Sequence, residues 1–183
     1  MLKIRTDRSV TMNKPTCSSQ AASTTGVELV PYHCKHEAIL HTFYLPEEQQ
    51  QFTGMPDEML ALARQDPHRH PVVITAAGRP VGFFILYDGD ELADYTNASE
   101  ALLLRAFSIH YADQGQGYAK HGLLQLHQYI SKHFPNVREV VLGVNARNRP
   151  AQKLYLTCGF QDEGNTKMGS HGLQHILKMS LYR

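Results

Sequence analysis

Two spacings of apolar residues organise this chain, strict alternation or short continuous runs in some segments and helical recurrence in others. Gly26 to Val30 is a short apolar run that predicts a first strand. Residues 33–45 place Ile39, Leu40 and Phe43 on one side of a helical pattern, which Pro46 breaks. Phe52 to Pro56 reads as a loop, and Asp57-Glu58 then precede a second helix from Met59 to Arg64, where acidic residues suit a helix start. Pro71 opens a strand over Val72–Ala76, Ala77-Gly78-Arg79-Pro80 turns the chain, and Val81 to Leu86 returns as its partner. A longer apolar run, Ala101 to Ile109, predicts a central strand. Ala119, Leu123, Leu126, Ile130 and Phe134 follow at the spacing of an amphipathic helix lying on a sheet. Val137 to Val144 is rich in β-branched residues and predicts a buried strand. Asn148 as N-cap, Pro150 in the first turn and Gly159 at the far end delimit a last helix. Gln174 to Tyr182 supplies the final strand. This order gives a mixed α/β sheet flanked by helices, with a parallel, right-handed strand–helix–strand crossover from Leu102 through Val144.

Composition narrows the picture in three ways. The length, 183 residues, suits one domain with a proper core, expected over residues 26–183. Residues 1–25 are charged at first and then dominated by Ser, Thr, Ala and Gln, the composition of a flexible tail, with no hydrophobic signal-peptide core. A net charge of +1 gives no reason to expect nucleic acid or an anionic membrane as partner, and no apolar run approaches the ~20 residues of a membrane helix. Cys17, Cys34 and Cys158 lack disulfide or zinc spacing, which fits a reducing, cytoplasmic setting. The 11 histidines include His68-Arg69-His70, expected as a polar loop, and form no His-Glu-x-x-His pair; no metal is expected. Asp88-Gly89-Asp90-Glu91 reads as a solvated turn rather than a calcium loop.

The chemistry concentrates in Gln114-Gly115-Gln116-Gly117-Tyr118-Ala119, set between a strand and a helix start. Convergent backbone N–H groups, freed from side-chain bulk by glycine, make a phosphate cradle of such a turn. A nucleotide P-loop would close on Gly-Lys-Ser/Thr, and a dinucleotide fingerprint would put glycine where Lys120 stands; neither applies, which disfavours a nucleotide-dependent oxidoreductase. Gln114-x-x-Gly117-x-Ala119 resembles the pyrophosphate loop, Q/R-x-x-G-x-G/A, of the GCN5-related N-acetyltransferases (GNAT). The segment from Val137 to Phe160, with Asn145 at a strand end, a helix from Asn148 and Leu154-Tyr155 before Gly159-Phe160, is similar to that family's second signature.

The resemblance covers approximately Gly26 to Tyr182 and is strongest over residues 103–160. It implies a mostly antiparallel central sheet of about six to seven strands with one splayed parallel pair, into which the arm of acetyl-CoA fits. It implies that Gln114, Gly115, Gln116, Gly117, Tyr118 and Ala119 hold the pyrophosphate, and that the main chain of Phe107, Ser108 and Ile109 pairs with the pantetheine arm like an added strand. The Ile109 N–H becomes the oxyanion donor, Tyr155 the general acid towards the leaving thiolate, and Asn145, Asn148 and Ala151 lie against the arm. Asn148 is also expected to cap its helix and Asn145 marks the strand end beside it, so a purely structural role is the alternative for either. The carboxylate that many relatives carry is replaced by Leu104, and Glu28, Asp88, Glu100 and His110 are the substitutes to consider as base. The implied activity is acetyl-CoA-dependent transfer to a primary amine by direct attack in a ternary complex. Six acidic residues and one basic residue between Glu37 and Asp66 point to a cationic, polyamine-like acceptor. Alternatives are a CoA-binding regulatory module without catalysis and an acetyltransferase of protein N-termini or lysines. A homodimer is common among similar proteins.

Overall fold

The computed structural model describes residues 26–181. The expectation of a flexible tail falls on residues outside that range. Seven strands form one sheet: β1 (Val27–Pro31), β2 (Arg69–Ala76), β3 (Arg79–Tyr87), β4 (Ala101–Ile109), β5 (Glu139–Asn145), β6 (Gln161–Gly169) and β7 (Gly172–Ser180). Their spatial order is β1-β2-β3-β4-β5-β7-β6. Every neighbouring pair is antiparallel except β4–β5, whose parallel pairing runs only over Ala101↔Glu139, Leu102↔Val140 and Leu103↔Val141. Beyond Leu103 the two strands part, and the gap between them is the feature on which the site depends.

The continuous apolar runs of β2 and β3 arise because both faces of the sheet are covered. Val72, Ile74, Phe84 and Leu86 face one core with Leu123, Leu126, Ile130 and Phe160, while Val73, Phe83, Ile85 and Tyr87 face a second core with Leu40 and Leu60. The first core is roofed by α4 (Tyr118–Leu124), α5 (Leu126–His133) and α6 (Arg149–Thr157). On the other face lie α1 (Glu37–Leu40) and α3 (Pro56–Ala63), while α2 (Glu47–Gln50) contributes no buried residue to either core.

A bulge in β4 changes its parity. Between the pairs Ile85↔Arg105 and Phe83↔Ser108, one residue of β3 opposes two of β4, and Ala106 takes a left-handed φ of 55°. Leu104 faces the first core, Ala106 packs on the second, and Phe107 returns to the first. The bulge therefore kinks β4 at the point where it leaves β5.

Several sequence expectations are corrected. The helix expected over 33–45 is a 3₁₀ turn, Cys34–His36, followed by the single turn α1, and of the three apolar residues that set the pattern only Leu40 and Phe43 are buried. The long helix from Ala119 to Phe134 breaks at Gln125, whose N–H turns back to the Gly122 carbonyl (3.1 Å) and whose side chain ties the Val27 carbonyl at 2.8 Å. Arg69 and His70 belong to β2 rather than to a loop: Arg69 is drawn in by Asp66, by Glu91 and by the Tyr87 ring beneath its guanidinium. Pro80 lies in β3, opposite Thr75 at an irregularity where its missing N–H costs no ladder bond. β6 gave no sequence signal, being a polar edge strand that pairs with β7 alone. The helix-ending role of Gly159 holds: its φ is 100°, and the Phe160 N–H returns to the Tyr155 carbonyl at 3.1 Å.

The β2–β3 hairpin turns through Ala77 and Gly78, both with positive φ (49° and 79°), as a type I′ turn demands. Alanine is a poor occupant of the first position. Ala77→Asn is expected to raise stability by about 0.5–1 kcal/mol. Urea denaturation checks this, and an unchanged or lowered midpoint counts against it.

Candidate active site

The gap between β4 and β5 opens into a cleft of about 700 Å³. Its walls come from the kinked end of β4, the glycine loop, the start of α4, the end of β5 and one side of α6. Strand alternation decides which main-chain groups of β4 reach it. The His110 N–H bonds the Val81 carbonyl (3.0 Å), so His110 and Ser108 point their backbone at β3, while Phe107 and Ile109 point theirs at the gap. Two contacts agree: the Phe107 carbonyl accepts from the Thr53 hydroxyl at 3.3 Å, and the Ile109 carbonyl accepts from Gln114 Nε2 at 3.0 Å. The expectation that Ser108 offers backbone to a ligand is thereby corrected. Its side-chain Oγ is buried in the cleft wall and lacks a hydrogen-bond partner among the described residues.

The glycine loop is arranged by two residues with left-handed backbone, Gly115 (φ 77°) and Gly117 (φ 81°). The Gln114 N–H is engaged by the Tyr111 carbonyl (3.2 Å) and the His121 N–H by that of Gly117 (3.0 Å). The N–H groups between them, from Gly115 to Lys120, bond no acceptor among the described residues. Gln114 thus contributes a side chain rather than the expected N–H: its amide makes a reciprocal pair with Gln49 (2.8 and 3.2 Å), pinning α2 beside the loop. Gln116 is the one member of the loop that does not line the cleft, and its side chain accepts from the Tyr118 hydroxyl at 3.1 Å.

On the opposite wall Asn148 caps α6, its Oδ1 accepting from the Ala151 N–H at 3.2 Å. Asn145 is engaged structurally. Its side chain donates to the His171 carbonyl (2.8 Å) and accepts from the Arg147 N–H (2.9 Å), fastening the β6–β7 turn to the end of β5. Tyr155 lies buried between Phe107 and Phe160, ring centroids 6.1 and 5.5 Å away, and reaches the cleft. Burial pushes its phenol well above the ordinary tyrosine range, so the group stays protonated. The same burial raises the Cys158 thiol.

A second, smaller cleft of about 380 Å³ adjoins the first and shares the β4 segment Leu104–Ala106 with it. Its titratable walls are Glu58, Tyr95, Arg105 and His171. None of the four substitute bases considered from sequence lines either cleft. His110 is stacked on Phe43 and accepts from the Tyr44 N–H, Asp88 faces His68 and His70, and Glu100 lies beside Arg138. Sequence reasoning missed Gln49 and Thr53, which close the site from outside the two signatures, and Arg147, which lies within the second. Arg147 reaches the Gln51 side chain (3.4 Å) and lies over the Phe52 ring. Nothing in the polar run Glu47–Gln51 marks those contacts in advance.

Among the described residues no cluster of three His, Cys, Asp or Glu side chains is placed to hold a metal, and no helix is long and apolar enough to cross a membrane.

A cleft between diverging parallel strands, walled by a glycine loop with free main-chain N–H groups and by a protonated tyrosine, is the arrangement expected of an acyltransferase of the GNAT type. The acetyltransferase (GNAT) domain model matches residues 45–168. An uncharacterized N-acetyltransferase, YbbJ of Bacillus subtilis (strain 168), is 40% identical over 155 residues, 84% of this chain and 97% of that protein. The chain belongs to the GNAT family and is an N-acetyltransferase. Among solved structures, aminoglycoside acetyltransferase AAC(6')-Ib with coenzyme A and kanamycin has the same fold, at TM-score 0.69, 17% identity and coverage of 84% of this chain and 94% of that one. So does spermidine N-acetyltransferase from Vibrio cholerae with CoA and spermine, at TM-score 0.65, 17% identity and coverage of 86% and 97%.

Proposed function

We propose that the protein transfers the acetyl group of acetyl-CoA to a primary amine of a small cationic molecule, by direct attack while both substrates are bound. The carrying observation is the edge of β4 that no strand covers, where Phe107 and Ile109 turn their main chain to a cleft also walled by the glycine loop, whose N–H groups from Gly115 to Lys120 are free. Among the described residues the Phe107 and Ile109 carbonyls are met only by the Thr53 and Gln114 side chains. That geometry fits coenzyme A from end to end. The loop N–H groups meet the diphosphate, the strand edge meets the amides of the arm, and the unpartnered Ser108 hydroxyl gains a polar partner.

Chemistry at the thioester follows from the same placement. The neutral amine attacks the carbonyl carbon, forming the C–N bond, and the oxygen that becomes negative is met by the Ile109 N–H, which points into the gap. As the C–S bond breaks, Tyr155 gives its proton to the leaving sulfur, while the proton lost by the attacking nitrogen passes to water. Leu104, 2% exposed and apolar, supplies no base, so the acceptor enters as its neutral fraction.

Electrostatics of the second cleft support the cationic acceptor. The one arginine among its lining residues, Arg105, is already neutralised by Glu91 at 2.7 Å. Of the six acids between Glu37 and Asp66, three are paired, Glu37 with Arg64, Asp57 with His41 and Asp66 with Arg69. Glu58 is among the other three and lines the second cleft without an ion-pair partner among the described residues. The cleft is therefore left with net negative charge. Structures of the same fold hold spermine or kanamycin beside coenzyme A.

Thiol release from acetyl-CoA across an amine panel tests the reading. Diamines and polyamines are expected to turn over ahead of neutral amino acids, and the reverse order rejects the cationic acceptor. Glu58→Gln is expected to raise KM for a diamine about three- to fivefold and to leave KM for a monoamine unchanged, the scale of one exposed charge contact.

A further inference from the structure

Two carboxylates line the larger cleft, and they differ in kind. Glu48 is exposed, whereas Asp113, immediately before the glycine loop, is 6% exposed. A buried negative charge in the wall of a diphosphate cradle opposes the ligand unless something cancels it. Arg79, at the start of β3 just after the hairpin turn, does so with both ends of its guanidinium: Nη1 donates to Oδ2 at 3.0 Å, and Nη2 donates to Oδ1. Both carboxylate oxygens are held, and the planar fork fixes their direction in a way a lysine could not. The Asp113 N–H is itself bonded to the His110 carbonyl at 2.8 Å, so the pair braces the root of the loop against the β2–β3 hairpin.

We propose that Arg79 is a positioning residue for the acyl carrier, acting by neutralising and orienting Asp113 in the wall of the cradle rather than by touching the phosphates. This rests on the reading of the loop as the coenzyme A diphosphate site. The two partners are asymmetric, because the Arg79 side chain is 50% exposed while that of Asp113 is 8% exposed. Removing the arginine leaves a charge that water reaches poorly, beside a dianion. Removing the aspartate leaves a guanidinium that water solvates. The cost of losing Arg79 should therefore disappear once Asp113 is neutral.

Titration calorimetry with coenzyme A on the full chain, for Arg79→Met, Asp113→Asn and the double variant, tests this. Arg79→Met is expected to weaken binding at least about tenfold, Asp113→Asn to stay within about threefold of the parent, and the double variant to match Asp113→Asn. If Arg79→Met fails to fold, the comparison of Asp113→Asn with the double variant still decides. Equal affinity supports the proposal. A double variant much weaker than Asp113→Asn overturns it and puts Arg79 on the ligand directly, and an unaltered Arg79→Met overturns it as well. Absence of binding by the parent chain would instead remove the diphosphate reading on which the proposal stands.

Discussion

Replacing Tyr155 with Phe is expected to lower kcat about a hundredfold, while coenzyme A affinity and the midpoint of unfolding hold within about threefold and 1 kcal/mol. The ring is kept, so its packing between Phe107 and Phe160 survives, and only the proton donor is lost. Steady-state kinetics with the best amine of the panel, set beside calorimetry, separates the two effects. A variant with parental kcat would show that Tyr155 is a packing aromatic and nothing more. The pH behaviour gives an independent reading. Burial raises the phenols of Tyr155 and Tyr129, the latter to about 12, above the ~10 of an unfolded chain. Each raised value stabilises the fold fully below pH ~10, and that contribution is lost as pH climbs through the folded value. Activity should accordingly show no alkaline limb from Tyr155 below pH ~10, and alkaline unfolding should set in later for Tyr155→Phe than for the parent.

Gly117→Val is expected to weaken coenzyme A binding by about two orders of magnitude. At φ 81° a β-branched residue is strained, and its Cβ would meet the His121 ring at 3.4 Å. The backbone escapes by turning, which redirects the N–H groups after it. Losing one or two hydrogen bonds to a charged ligand, at about 1.5–3 kcal/mol each, gives the stated loss. Gly164→Val is the control. It places the same residue at φ 81° in β6, with nothing within 4 Å of a Cβ and away from both clefts, and should lower stability without moving the affinity. Equal affinities for Gly117→Val and the parent would show that the loop does not hold the ligand.

The parts of the site that could be read from sequence share one property: their geometry is made by near neighbours in the chain. Gly117 and Gly159 adopt positive φ because their own positions require it, and Asn148 caps the helix it begins. The relation of the glycine loop to the strand before it and the helix after it is likewise local. What could not be read depends on segments far apart in sequence. The substitute bases failed because Glu28, Asp88, Glu100 and His110 were judged by residue type, whereas position in the sheet sends them elsewhere. The polar strand β6 carries no pattern of its own and exists because β7 offers it an edge. The contacts of Gln49 with Gln114 and of Arg79 with Asp113 span 65 and 34 residues, and no local periodicity encodes them.

From its residues alone the chain determined an α/β architecture, a glycine loop between strand and helix, and a tyrosine-bearing helix, since hydrophobic period, capping and glycine conformation act within a few residues. Tertiary structure decided which of Phe107, Ser108 and Ile109 turn their backbone to the gap, through strand alternation past a bulge at Ala106 that an alanine does not announce. It also decided the charge of the second cleft, because a carboxylate or guanidinium counts there only if no distant partner of opposite charge has already met it.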